Sequence, residues 1–233
     1  MKKLVTILLV LVAVIGAVIF WLSGNIDNLI KNAVARYGNA MTQAKVSVDT
    51  VKIAPTDGKG TISNLVIGNP AGFKTAYAIK VGRIDVDIDI ASVTKDVILI
   101  HRIAIHAPDV IYEKGDSMTN FDAIQKNITS YLGPADSQKG GKKLIAEELT
   151  IRDAKAQASA AFMRGKTLNV PLPDITLKNI GKAQGGISPG ELGQEVAGAM
   201  KARLTGAVSF DRLTKSTGEA LDKAGTAFKG LLK

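Results

Sequence analysis

The chain has 233 residues, 46% of them apolar, 22% charged and only 5% aromatic, and its 30 Lys and Arg against 21 Asp and Glu leave a net charge of +9. With no cysteine and two histidines, disulfide staples, thiol nucleophiles, iron–sulfur centres and cysteine zinc sites are excluded, and catalytic or metal chemistry has few residues to work with. The about 210 residues left after one membrane span exclude a miniprotein, the apolar content excludes a disordered chain, and the positive charge suits anionic membranes or nucleic acid without choosing between them.

Leu4 to Leu22 is a run of nineteen residues without a charge. As a helix it is about 28 Å long, which matches a bilayer core. A cleaved signal peptide usually has a shorter apolar region, roughly 7 to 15 residues, ending at a small-x-small site. Here the run closes on Phe20-Trp21-Leu22, so residues 1–24 are expected to be an uncleaved signal anchor with Trp21 at the interface. Lys2 and Lys3 are opposed by Lys31 and Arg36 beyond the span. The expectation that the body lies outside the cytoplasm therefore rests on the anchor being N-terminal and signal-like.

Over residues 25–44, Ile26, Leu29, Ile30, Ala33, Val34 and Tyr37 recur at three- and four-residue steps, which predicts an amphipathic helix lying against the membrane or capping the next element. From Lys45 to Tyr112 the period changes to two, as in strands. The parity slips near Gly82-Arg83 and His101-Arg102, which marks bulges or strand breaks. A helix is predicted near 119–132, with Thr119 and Asp122 as a capping pair and Phe121, Ile124, Ile128 and Leu132 on one face. Strands resume within Leu144 to Ala158 and Leu168 to Ile180; Pro171 and Pro173 point to an edge for the latter. Residues 45–187 thus form a β body. Ser188-Pro189-Gly190-Glu191 then opens a helix presenting Leu192, Val196, Met200 and Leu204. Residues 188–233 end in a basic amphipathic tail, in which Lys215, Lys223, Phe228, Lys229 and Lys233 are the expected membrane-surface contacts.

The polar constellations point to no chemistry. Asp85, Asp87 and Asp89 alternate with Val86, Ile88 and Ile90, so a straight strand would spread the carboxylates about 6.6 Å apart along one polar face instead of gathering them around calcium. His101 and His106 are an odd interval apart, which sends them to opposite faces of a regular strand. Gly68-Asn69-Pro70-Ala71-Gly72-Phe73 lacks the strand–loop–helix context and the Lys-Ser/Thr of a phosphate loop. No catalytic grouping, cofactor or metal site is indicated, and strands almost without aromatics argue against nucleic acid.

The aliphatic strand face is more informative. Ile67, Val81, Ile84, Val86, Ile88, Ile90, Ile98, Ile100, Ile103 and Ile105 form a side that either is an ordinary core or accepts acyl chains, which need no directed hydrogen bonds and only a continuous surface worth about 25 cal/mol per Å² buried.

An N-terminal anchor and helix, then Ser63-Asn64-Leu65-Val66-Ile67-Gly68-Asn69-Pro70-Ala71-Gly72-Phe73, then Arg83-Ile84-Asp85-Val86-Asp87-Ile88-Asp89-Ile90, then Ile103 to Tyr112, then Asn120-Phe121-Asp122-Ala123-Ile124 follow one another in this order. Together with Leu172-Pro173-Asp174-Ile175 and its glycine-rich exit to a helix, this resembles the short members of the AsmA-like family of Gram-negative envelope proteins over nearly the whole chain. The resemblance implies an inner-membrane protein with a periplasmic β-groove, related to bridge-like lipid transfer proteins and associated with outer-membrane biogenesis. It offers no catalytic residues. In one respect the chain departs from the long relatives: at about 4.8 Å per strand its sheet is expected to be only about 30 to 40 Å wide, too narrow to bridge two membranes alone.

The expectation is thus an α+β, non-enzymatic protein: a single-pass transmembrane helix, an amphipathic helix, a curved, groove-like and mainly antiparallel sheet, and C-terminal amphipathic helices. Its partners would be membrane lipid and the inner membrane, with a second copy or an envelope protein as further partners. The alternative is a structural or assembly adaptor that binds no lipid.

Overall fold

The computed structural model describes residues 26–133 and 141–208. Helix α1 occupies residues 26–42. It is followed by β1 (Val46–Ser47), β2 (Thr50–Ala54), β3 (Lys59–Ile67), β4 (Ile79–Ile88), a 3-10 turn (Ile90–Ser92), β5 (Val97–His106) and β6 (Asp109–Lys114). Helix α2 (Asn120–Leu132) leads to β7 (Lys143–Arg152), β8 (Lys155–Ala160), β9 (Leu168–Val170), β10 (Ile175–Ile180) and helix α3 (Pro189–Ala207). Among the described residues no helix is long and apolar enough to cross a membrane. The candidate span within residues 1–24 and the basic tail, including Lys215, Lys223, Phe228, Lys229 and Lys233, lie outside them.

All ten strands join one open mixed sheet, in which only β5–β7 and β6–β8 run parallel. The pairing register shows that these strands stand only six abreast. Arg83 opposes His106 and Lys80 opposes Asp109, so β5 and β6 continue one line along β4. The same continuity joins β7 to β8 across Arg152 and Lys155, β1 to β2 along β3, and β9 to β10. Six abreast give a sheet roughly 25 Å wide, narrower than expected because strands adjacent in sequence lie end to end.

The breaks have a common cause. Asn64, Ala107 and Asp153 take positive φ of 53°, 43° and 56°, and they fall at matching points of β3, the β5–β6 junction and the β7–β8 junction. Such a residue reverses the alternation, so buried positions pass from Ile151 to Ala156 beyond β7; β4, which has no positive φ, slips on the same line, from Val81 to Ile84. A second line crosses the sheet at His101, where the β4–β5 register shifts opposite Asp87 and Ile88, and reaches Asn179, with φ 55°, in β10. Both parity slips visible in the sequence lie on these lines, and a bulge of this kind bends its strand and raises the local twist.

The helices begin where capping chemistry places them. Thr119 Oγ1 accepts from Asp122 N at 3.1 Å while Thr119 N donates back to the Asp122 carboxylate at 3.0 Å. Ser188 and Glu191 repeat the arrangement at α3, with Pro189 in the first turn; such boxes satisfy backbone donors that the helix leaves free. The β9–β10 line is an edge, as the prolines indicate. The opposite edge is sealed by α1, whose Asp27 Oδ1 accepts from Ile53 N at 2.9 Å and whose Asn39 accepts from Val46 N; pairing off these backbone groups blunts an edge strand.

Candidate functional site

The aliphatic face assembles largely as the alternation requires. Val81, Ile84, Ile100 and Ile103 are buried, and Val86, Ile88 and Ile105 partly buried, in one cluster with Leu149, Ile151 and Ile175. Ile98 lies half-buried on the same side of β5 as Ile100 and pairs with Leu144. Two expected members are placed differently. Ile67 packs against Ala78, Ile124 and Ile128, because α2 lies over that end of β3. Ile90 is not in the strand at all: β4 ends at Ile88, and Asp89 caps the 3-10 turn by accepting from Ala91 N at 2.9 Å. Ile90 is left 44% exposed and Asp89 is removed from the carboxylate row.

Coverage of the face is graded. Met200, Leu204 and Val208, at and just beyond the C-terminal half of α3, are buried in the same cluster, and α3 packs on β7 and β10. Phe121 of α2 is fully buried and meets Tyr112 edge-on with ring centroids 5.8 Å apart. Toward the α1 edge, Ile62, Leu65, Val86 and Ile88 remain partly exposed. Past the end of β4, Ile90 and Val93 of the 3-10 turn and its cap are 44% and 47% exposed. This end abuts the β2–β3 hairpin tip, where Ile88 N donates to Gly58 O at 2.8 Å.

The other face of the sheet is polar and internally compensated. Lys59, Asp87, Arg102, Glu148 and Lys178 stand directly opposite one another in turn across β3, β4, β5, β7 and β10, a row of alternating charge; opposite charges on facing strands stabilise the pairing. Asp85 accepts from Arg83 Nε at 2.8 Å and Thr61 Oγ1 at 2.9 Å, and pairs with His106 Nε2 at 3.1 Å. The Arg83 hydrogen bond, helped by the Thr61 and His106 bonds and the Arg83 charge, holds the Asp85 carboxyl down at about 2 against burial. His101 Nδ1 pairs with Glu147 Oε2 at 2.8 Å, and that bond raises the imidazole above its ordinary value. Both histidines are about half exposed, and the Asp87 charge reaches His101, because the bulge at His101 cancels the odd interval that would have sent them to opposite faces. Among the described residues no group of three His, Cys, Asp or Glu is placed to hold a metal.

One buried carboxylate escaped notice in the sequence. Glu113 is 1% exposed and accepts from Lys74 N at 2.7 Å, Thr75 N at 2.8 Å and Thr75 Oγ1 at 2.6 Å. Asn120, fully buried, accepts from Glu113 N at 3.0 Å and donates to Ile111 O at 2.7 Å. Asn69 completes the network by donating to Thr75 O at 2.9 Å. Asn69 of the Gly68–Phe73 loop therefore turns inward, bonded to Thr75 and to Asn120 of α2, while Ala71 and Gly72 are exposed. The signal available for Glu113 was an acid directly after the apolar stretch Val110-Ile111-Tyr112.

Comparison with protein-family models, curated proteins and solved structures finds no match.

Proposed function

We propose that this chain is an inner-membrane-anchored, periplasmic, AsmA-like module that holds or hands on lipid along the aliphatic face, non-enzymatically, as a contribution to outer-membrane biogenesis. The bends at the two bulge lines would make that face the concave side of a shallow groove. The observation that carries the reading is the graded coverage of the face. It is covered where α3 lies and partly exposed over Ile62, Val86 and Ile88, and the turn that follows carries exposed Ile90 and Val93.

That exposed end is also where the anchor would leave the bilayer. Asp27, five residues after Leu22, holds Ile53 next to the turn of the hairpin whose tip touches Ile88. An acyl chain rising from the membrane would meet Ile90 first and Val86 later. No directed polar contact is required of such a surface, which gains about 25 cal/mol per Å² covered. The motif order that resembles the AsmA-like family supplies the envelope setting.

Photo-crosslinking amino acids placed at Val86 and Ile88 of the full-length chain, activated in membranes, test this. The expected products are acyl-lipid adducts at both positions and none at Thr176 on the polar face. Adducts to protein alone would favour an envelope assembly adaptor, and the absence of any lipid adduct would remove the lipid reading. Val86→Asp and Ile88→Asp should abolish lipid capture while the purified body stays folded; if both unfold, the face is core.

A further inference from the structure

Helix α1 holds part of its apolar stripe away from the sheet edge it borders. At about 100° per residue, Asp27, Lys31, Val34 and Gly38 share the side turned to the β1–β2 edge. There Asp27 and Lys31 bond to Ile53 N and Asp49 O, and a Cβ at Gly38 would come within 2.9 Å of Val46 Cγ1. Leu29, Ala33 and Tyr37 form a stripe that runs from the far side of the helix to its flank, bordered by exposed Asn32 and Arg36. Leu29 at 65% and Tyr37 at 56% exposure are the two most exposed large apolar side chains among the described residues. An exposed apolar stripe bordered by polar residues suits a boundary between water and an apolar phase.

We infer that this outer face of α1 lies in the interfacial layer of the bilayer that Leu4–Leu22 enters, so that the body rests on the membrane by its β1–β2 edge. The uncharged run ends four residues before the first described residue of α1, which keeps Leu29 close in sequence to the membrane surface. Tyrosine is favoured at that depth. Arg36, exposed beside the stripe, is placed for anionic head groups. The inference shares with the proposed function only the reading of residues 4–22 as a span, and does not require lipid on the strand face.

The chain has no cysteine, so Leu29→Cys, Tyr37→Cys and, as a distant control, Asp116→Cys each give a single labelling site. Each full-length variant would be labelled with an environment-sensitive fluorophore in vesicles of phosphatidylethanolamine and phosphatidylglycerol, then exposed to aqueous iodide or to lipid bearing a spin label near its head group. The inference expects positions 29 and 37 to be quenched several-fold less by iodide than position 116, and to be quenched by the spin-labelled lipid while position 116 is not. Iodide quenching equal to that at 116 overturns it. So does protection from iodide without lipid quenching, or cysteine crosslinking of two chains through position 29, since either assigns the face to a protein. Lipid quenching here together with no lipid adduct at Ile88 would leave the inference standing and remove only the lipid-handling reading.

Discussion

Asn120 donates from Nδ2 to Asn69 Oδ1 at 2.9 Å, tying the first turn of α2 to the loop that leaves β3. The two residues are 51 positions apart, yet together with Glu113 they form one buried polar network, and buried networks are costly to leave half-satisfied.

Glu113→Gln replaces one acceptor oxygen by an NH2 facing donors from Lys74 or Thr75. It should lower stability by about 1–3 kcal/mol, the cost of an unmet buried hydrogen bond to a charged group. Asn120→Ala should cost at least as much, and urea unfolding of the folded body measures both.

The hairpin tip tolerates little. Gly58 has φ +67°, and a Cβ there would lie 2.1 Å from the backbone oxygen of Ile88. Gly58→Ala should therefore destabilise by about 1–3 kcal/mol through backbone strain and that clash. Gly72→Ala, at φ +99° with nothing within 4 Å, should show the conformational cost alone. The comparison is read from the two melting temperatures.

The covered and exposed parts of the aliphatic face should differ in worth. Leu204, at 0% exposure beneath the sheet, should cost about 2–5 kcal/mol on Leu204→Ala. Ile88→Ala, already partly exposed, should cost less than half of that in chemical denaturation.

Two titrations follow from the polar face. Asp85 has its folded pKa lowered to about 2, so its contribution is present above the unfolded value near 3.8 and is lost as pH falls toward 2; Asp85→Asn should flatten the acid limb of stability against pH. His101 has its folded pKa raised by Glu147, so its contribution is present below the unfolded value and is lost as pH rises through the folded one. Glu147→Gln should move the His101 resonance midpoint downward in a proton NMR titration.

Much of this was legible locally. The alternation of Val81, Ile84, Val86 and Ile88, the Thr119 and Ser188 capping boxes, and the slips at Gly82 and His101 are all carried by short-range spacing, because side-chain parity and caps depend on residues two to four apart. The strand stops short of Ile90 because Asp89, whose amide still donates to Leu99 O, caps a 3-10 turn by accepting from Ala91 N through its carboxylate. Ile67 followed the alternation but met α2, which arrives from more than fifty residues away.

By itself the chain order determined an uncharged N-terminal run, an aliphatic sheet side backed by a charged one, and helices that start at Thr119 and Ser188. Only the tertiary structure decided that ten strands stand six abreast, that α3 closes one half of the aliphatic face, and that α1 turns Asp27 inward and Leu29 outward. Spacing along a chain specifies which side of an element is apolar; which neighbour covers that side is a matter of contacts between segments distant in sequence.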